Sequence, residues 1–322
     1  MAEQILPNLY RIEVPLPNNP LKSLNSFVVI GPERNLIIDT GLNREECVRA
    51  MRQGLNELEV DLSHTDFYIT HLHADHAGLV SGLASEASTI YFNQPDAEVI
   101  AYAGVWDDML EFAGHHGFPR DELRDAIEKH PGYKYGGKRP VDLAIVREND
   151  VIQVGQYRFF CVETAGHTRG HMCLYEPDKK ILVAGDHILG DITPNISLWT
   201  ESDNALSDYL ASLDKVYDLD VQLVLPGHRS LVTNCRARIE ELKHHHQVRA
   251  EEVLSILSEG SKHAFDVASR MTWDIECDSW DEFPVSQKWF ATGEAIAHLK
   301  YLESRGAVRR DASGEVIFFS LK

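Results

Sequence analysis

At 322 residues, 43% hydrophobic and 25% charged, the chain has the composition of a water-soluble globular protein, with room for two domains or for one large domain and an appendage. No apolar run approaches the ~18 residues that a membrane span needs. The 50 acidic against 31 basic residues leave a net charge of −19, a field that repels nucleic-acid phosphates and anionic lipid surfaces and so counts against those partners.

The opening segment MAEQILPNLYRIEV has neither the basic start nor the apolar core of a secretion signal and reads as the first strand. From there to about residue 235, short β-rich runs alternate with helical stretches. The runs fall at 26–30, 35–39, 67–70, 89–92, 158–163, 181–184 and 222–225. The stretch DFYIT at 66–70 reads as a buried strand, leading through Ala77, Gly78 and Leu79 into a helix. Several runs end on Gly, His or Asp: LIIDTG, YITHLH, VETAGH, ILVAGD and LVLPGH. Such residues recurring at strand ends place several loops on one edge of a sheet, where α/β folds carry their sites. Residues 95–140 break the rhythm with aromatics and histidines, among them Tyr102, Trp106, His115, His116, His130 and Tyr133. The spacing of Val99, Ala103, Trp106 and Leu110 predicts one helix, a second is predicted around 122–129, and Gly136-Gly137 forms the exit. The segment reads as a helical insertion that serves as a lid or a pocket wall.

From about 236 the texture turns helical. Residues 236–257 form one amphipathic stretch with Ile239, Leu242, Val253, Leu254 and Leu257 as its apolar positions. His244, His245 and His246 point in three directions, cannot share one metal and are assigned to the solvated face. A helix at 264–270 and another at 286–305 follow, the latter with Trp289, Ala295, Ile296, Leu299 and Leu302 as its stripe, and then a hairpin turning at Ser313-Gly314. Three helices and a hairpin outline a winged helix. A DNA-reading helix would be basic, but 286–305 sets Lys288, Lys300 and Arg305 against Glu294 and Glu303, so the tail reads as a packing or dimerisation module. Cys47, Cys161, Cys173, Cys235 and Cys277 are dispersed with no C-x-x-C, as expected of reduced core thiols in a cytoplasmic protein.

The stretch richest in chemistry is HLHADH at 71–76. Three histidines and an aspartate in six residues pack poorly and ligate metal well, since imidazole nitrogen and carboxylate oxygen are donors for Zn²⁺ and its neighbours. Further donors stand at later strand ends: His167 and His171 in GHTRGH, Asp186 after ILVAG, and His228 after LVLPG.

In this order, and with Asp39 in LIIDTG, the set resembles the metallo-β-lactamase superfamily, over residues of about 10–235. The resemblance implies an α/β fold: an αββα sandwich, two sheets face to face with helices outside, over 1–235 (insertion at about 95–140), and a winged-helix-like α+β domain over 236–322. It implies one metal on His71, His73 and His167, a second on Asp75, His76 and His228, and Asp186 bridging both. Asp39 is implied either to orient a ligand imidazole or to cap a strand end, and His171 to hydrogen-bond near the site without ligating. Two Zn²⁺ ions are implied, although the same donors serve Mn or Fe. Two dications bring four positive charges against the two negatives of Asp75 and Asp186, leaving room for a bridging hydroxide as nucleophile.

A bridging Asp186 is similar to the pattern of hydroxyacylglutathione hydrolase, lactonases and the RNA-processing branch, rather than to that of many true β-lactamases. H-x-H, not H-x-E, favours zinc over the di-iron flavoprotein branch. The tail resembles the lactamase-β-like subgroup, which includes an endoribonuclease and polyketide thioesterases. The stretch HILGDITPNISLW after Asp186 should line the pocket, with Ile192 and Trp199 as wall residues and Trp106 covering from the insertion on the other side. The reading is a cytoplasmic dinuclear metallo-hydrolase of a small-molecule thioester, ester or lactone. Phosphodiester hydrolysis of RNA and a non-catalytic, metal-bound regulator are the alternatives.

Overall fold

The computed structural model describes residues 1–135, 142–275 and 277–322; the Gly136-Gly137 exit expected of the insertion lies outside them. The chain opens on two strands where one was expected. Pro7 and Asn8, the latter at φ 63°, turn the segment into a hairpin of β1 (Ala2–Leu6) and β2 (Leu9–Pro15). Next come β3 (Ser23–Val29), β4 (Asn35–Ile38), β5 (Thr65–Tyr68), β6 (Ile90–Asn93) and β7 (Ala144–Val146). Among the described residues these seven strands form one sheet in chain order, antiparallel as far as β4 and parallel from β4 to β7.

A second sheet holds β8 (Val151–Val154), β9 (Tyr157–Glu163), β10 (Met172–Glu176), β11 (Ile181–Gly185) and β12 (Leu223–Pro226) in the order β12-β11-β10-β9-β8, with only β11 and β12 parallel among the described residues. The observed strands match the expected runs closely. Reading the sequence missed β7, β8 and β10. β8 (VIQV) alternates exposed and buried residues over only four positions, and β10 starts directly after the motif residue His171. By contrast β11 (ILVAG) is buried throughout, as a strand covered on both faces must be.

The two sheets pack face to face. Phe27, Val29, Leu36, Ile38 and Tyr68 of the first meet Phe159, Cys161, Leu174, Val183 and Leu225 of the second in one apolar cluster. The outer face of the first sheet packs on α1 (Glu45–Glu57) through Cys47, Met51 and Leu55, beside α2 (Ala74–Ala77) and α3 (Val80–Leu83). This is an αββα metallo-β-lactamase-type sandwich with mixed sheets, as expected.

The insertion contains α4 (Gln94–Ala101), α5 (Val105–His115), α6 (Arg120–Lys129) and α7 (Pro131–Tyr135); the single helix expected across 99–110 is broken at 102–104. The outer face of the second sheet is covered by α8 (Ala205–Tyr217), α9 (Cys235–Leu257), α10 (Ala264–Ala268) and α11 (Val285–Ser304), with the hairpin β13 (Val308–Asp311) and β14 (Phe318–Leu321). One cluster runs from Val162 and Leu182 through Tyr209 and Ile239 to Leu299 and Phe319, so the tail shares a core with the sheet.

Two expectations are corrected here. His246 is not on a solvated face: it follows Leu242 by four residues and precedes Val253 by seven, on the buried stripe of α9, and is 2% exposed. Cys277 is exposed, whereas the other four cysteines are buried. Among the described residues, no helix is long and apolar enough to cross a membrane.

Candidate metal centre

The parallel strands β4, β5 and β6 and, from the second sheet, β9, β11 and β12 end at the same edge. The segments that follow them carry Asp39, the 71–76 motif, Asp96, His167, Asp186 and His228. Backbone hydrogen bonds sew these loops together: Met172 N donates to Thr70 O at 2.9 Å, Thr40 N to His76 O at 2.7 Å and Gly227 N to Gly185 O at 2.7 Å.

His71, His73 and His167 converge. His73 Nδ1 lies 3.0 Å from His71 Nε2 and 2.9 Å from His167 Nε2. Three imidazole nitrogens so close need a shared proton or a cation between them. Their outer partners fix two of the tautomers. Thr70 Oγ1 gives its proton to the Asp39 carboxylate at 2.8 Å, so it must accept from His71 Nδ1–H at 3.0 Å. His167 Nδ1–H donates to Asn195 O at 2.9 Å. Both Nε2 atoms therefore point inward as lone pairs, the arrangement of metal-binding histidines.

Asp75, His76, His228 and Asp186 form the adjoining group. His76 Nδ1–H donates to Asp39 Oδ2 at 2.7 Å and His228 Nδ1–H to Ser23 O at 2.7 Å, so these rings too turn Nε2 inward. His228 Nε2 lies 3.4 Å from Asp75 Oδ2 and 3.5 Å from Asp186 Oδ1, and His76 Nε2 lies 3.4 Å from Asp186 Oδ1. The other Asp186 oxygen, Oδ2, stands 3.5 Å from His167 Nε2, so this carboxylate spans the two groups.

These residues fit divalent cations. His76 Nε2, His228 Nε2 and Asp186 Oδ1 are buried and without a hydrogen-bond partner, a costly state that a cation relieves. Three donor sets lie within 4.8 Å reach: His71, His73 and His167; His71, His76 and Asp186; Asp75, His76 and His228. Glycine keeps the space clear, since a Cβ on Gly227 would lie 2.7 Å from Asp186 Oδ1 and 2.8 Å from His76 Cε1.

The two groups differ in charge. Burial and neighbouring imidazoles hold His71 well below the ordinary histidine range and His73 down at about 3, and burial lowers His167 as well. Burial opposes charge on His76 and His228 too, but carboxylates outweigh it. Asp39 and Asp186 raise His76 well above its usual value, and Asp186 with Asp75 raises His228 to about 10. The carboxylate-bearing half thus calls for positive charge, while the three-histidine half offers neutral lone pairs.

Asp39 sits at φ 58°, a left-handed conformation that Asp tolerates better than most residues. Its two oxygens accept from Thr70 N, Thr70 Oγ1 and His76 Nδ1, which holds both His71 and His76 in place. His171 Nδ1 lies 2.8 Å from Thr164 Oγ1, and its Nε2 accepts from the backbone N–H of Asp186 at 3.1 Å.

Reading the sequence missed Asp96 and Asn25. Asp96 is fully buried in the first turn of α4, and its oxygens accept from Leu72 N at 2.9 Å, Thr168 Oγ1 at 2.8 Å and Gly170 N at 2.8 Å. It staples the 71–76 loop to the 167–171 loop. The local signal was Asn93-x-x-Asp96, in which Asn93 caps the helix. Asn25 Nδ2 donates to Pro226 O at 3.0 Å and Arg229 O at 2.9 Å, fixing the loop that carries His228.

The residues expected from sequence to line the pocket have these neighbours. Trp199 stacks on Trp289 of α11, ring centroids 3.9 Å apart. Trp106 meets His130 at 5.1 Å and Tyr133 at 5.7 Å between ring centroids, and His130 meets Phe290 of α11 at 5.1 Å. Trp106 and Trp199 both border one apolar cluster, formed by Ala113, Phe118, Leu123, Ala126, Ile127 and Trp289. Ile192 is part-buried, its carbonyl accepting from Arg238 Nη2 at 2.9 Å. Helix α7 packs on α2, which carries Asp75 and His76, so the insertion reaches the site through its last helix.

A family model described as the metallo-β-lactamase superfamily matches residues 20–228, and one described as the metallo-β-lactamase-like C-terminal domain matches 250–321. A probable metallo-hydrolase of Bacillus subtilis is 27% identical over 296 residues, covering 88% of this chain and 89% of that protein. An atrochrysone carboxyl ACP thioesterase of Emericella nidulans is 25% identical over 243 residues, 74% of this chain and 61% of that protein. The crystal structure of a metallo-β-lactamase family protein from Thermus thermophilus superposes with a TM-score of 0.81 at 29% identity, covering 99% of this chain and all (100%) of that one. A β-lactamase domain protein from Burkholderia ambifaria reaches 0.87 at 24% identity, covering 100% and 94%.

Proposed function

This chain belongs to the metallo-β-lactamase superfamily and is a metallo-hydrolase; on that premise we propose that it is a dinuclear enzyme cleaving a thioester, ester or lactone of a small molecule. The observation that carries the reading is the convergence of inward-turned ring nitrogens on either side of Asp186, with three buried polar atoms otherwise unpartnered. His71, His73 and His167 would hold one cation and Asp75, His76 and His228 the other, with Asp186 shared; zinc is the metal we favour for this donor set. Such cations lower the pKa of a shared water toward neutrality and polarise the carbonyl under attack. The protein's own part is to fix these donors. Asp39 orients His71, through Thr70, and His76; the Ser23 and Asn195 carbonyls orient His228 and His167. His171 holds the Asp186 backbone.

An acyl substrate is supported by the thioesterase among the relatives and by the aromatic surroundings of α7, where Trp106 and Phe290 meet His130 and Tyr133 meets Trp106. We place the domain boundary at 235/236 and read the tail as winged-helix-like, supported by α9, α10, α11 and the β13–β14 hairpin. Four buried free thiols support a cytoplasmic location.

Metal analysis of the purified chain should give about two metals per protein; full activity in metal-stripped protein would refute the mechanism. A panel of acyl-CoA, S-acylglutathione, lactone and single-stranded RNA substrates tests the acyl assignment. Ribonuclease activity that disappears in Asp75→Ala, without acyl hydrolysis, would replace it.

A further inference from the structure

The loop between Asp186 and α8 has no regular structure of its own, yet it supplies the Asn195 carbonyl that orients His167. Around Asn195 it is held by α11. Asn195 Nδ2 donates to Glu294 Oε2 at 3.1 Å, and Leu198 N donates to Gly293 O at 3.1 Å. Ser197 Oγ donates to Asn195 Oδ1, bracing the amide from the other side. The loop lies so close to the helix that a Cβ on Gly293 would stand 2.6 Å from the Trp199 ring and 2.8 Å from Ser197 Cβ.

Glu294 is itself held. It is 8% exposed, and Oε1 accepts from Arg249 Nε of α9 at 3.3 Å. Arg249 in turn donates through Nη1 to Glu252 at 2.7 Å and to Thr272 O at 2.6 Å. A buried carboxylate and guanidinium are an expensive way to pack two helices, since apolar side chains of similar size stabilise such a contact as well or better. The pair is accounted for by what it points at, the side-chain amide of Asn195, the residue whose backbone carbonyl holds a site histidine.

We infer that Glu294 is a positioning residue for the three-histidine group, acting through Asn195 on His167, so that the C-terminal helices are part of the metal site's support. This rests on the reading of His71, His73 and His167 as metal ligands. Hydrogen bonding to the outer nitrogen of a ligand histidine governs ring orientation and basicity, and losing that support lowers metal affinity.

The test uses the full chain titrated with Co²⁺ against a chelator, with the Co²⁺ absorption spectrum and the melting temperature recorded alongside. His167→Ala identifies the spectral component belonging to the three-histidine group. Asn195→Ala and Glu294→Ala should each weaken that component's affinity about tenfold, and the double variant should be no weaker than either single one, because both remove the same link. Wild-type affinity and spectrum in both single variants would overturn the inference, as would additive losses of about a hundredfold in the double variant. If Glu294→Ala fails to fold, Asn195→Ala decides, because it leaves the Arg249–Glu294 pair intact and an unchanged affinity there overturns the relay. If His167→Ala itself keeps the wild-type spectrum and affinity, the ligand assignment is what fails.

Discussion

Two groups of buried histidines lie a few residues apart, and only one is built like a metal site. At the sheet edge His71, His76, His167 and His228 each give Nδ1–H to an oxygen; Nε2 of His76, His167 and His228 turns toward carboxylates and that of His71 toward His73. Under the C-terminal helices His298 donates to Glu294 O, and His246 Nδ1 meets His298 Nε2 at 3.3 Å. His187, next to Asp186 in sequence, has neither ring nitrogen partnered. Among the described residues, every donor set with metal-holding geometry falls in the first group. Histidine density does not make a metal site; ring nitrogens turned inward beside buried carboxylates do.

Four experiments would break or sharpen that contrast. Asp186→Ala, which removes the carboxylate shared by both halves, should lower kcat/KM by ~10³-fold, the scale of losing one essential electrostatic group. A residual rate near wild type in steady-state assays would dissolve the two-half description. Asp39→Asn removes charge beside His76 and the anchor of Thr70 behind His71 without touching the inward donors, and it should cost about 10–100-fold in metal affinity in chelator competition.

The second group should respond to acid instead. Burial holds His298 down at about 4 and His246 well below the usual range, so the unfolded chain takes up these protons first as pH falls below the ordinary 6.5. The stability from keeping them neutral is fully present above 6.5 and declines toward 4. His298 alone accounts for roughly 2 kcal/mol by pH 5. Urea titrations of wild type at pH 7.5 and 5, compared with His298→Leu, would read this as a smaller pH slope in the variant. Smallest of all, the double replacement His246→Leu with His298→Leu should leave metal content unchanged and alter stability by about 1 kcal/mol or less, because both partners of the contact are removed together. Loss of metal in that variant would mean that the second group is not separate.

Much of the fold was readable because it depends on neighbours in sequence. The runs at 35–39 and 181–184 are strands in the structure, and the long helix begins at Cys235, one residue from its expected start. Errors arose where a local pattern had two outcomes. The three histidines at 244–246 looked like a polar face, yet position 246 lies on the helix's apolar stripe. Cys277 belonged to the same dispersed set as the core thiols, yet it is exposed.

The order of donors after successive strands, Asp39, 71–76, His167, Asp186 and His228, is a property of the sequence alone, because a strand's end and the residue placed there are local facts. Which nitrogen of each imidazole faces inward is not local. His228 is turned by the Ser23 carbonyl 205 residues away, and His167 by the Asn195 carbonyl 28 residues on. Hydrogen-bond partners of that kind meet only when the sheets pack and α11 closes over the loop, so tertiary structure decided how the donors are aimed.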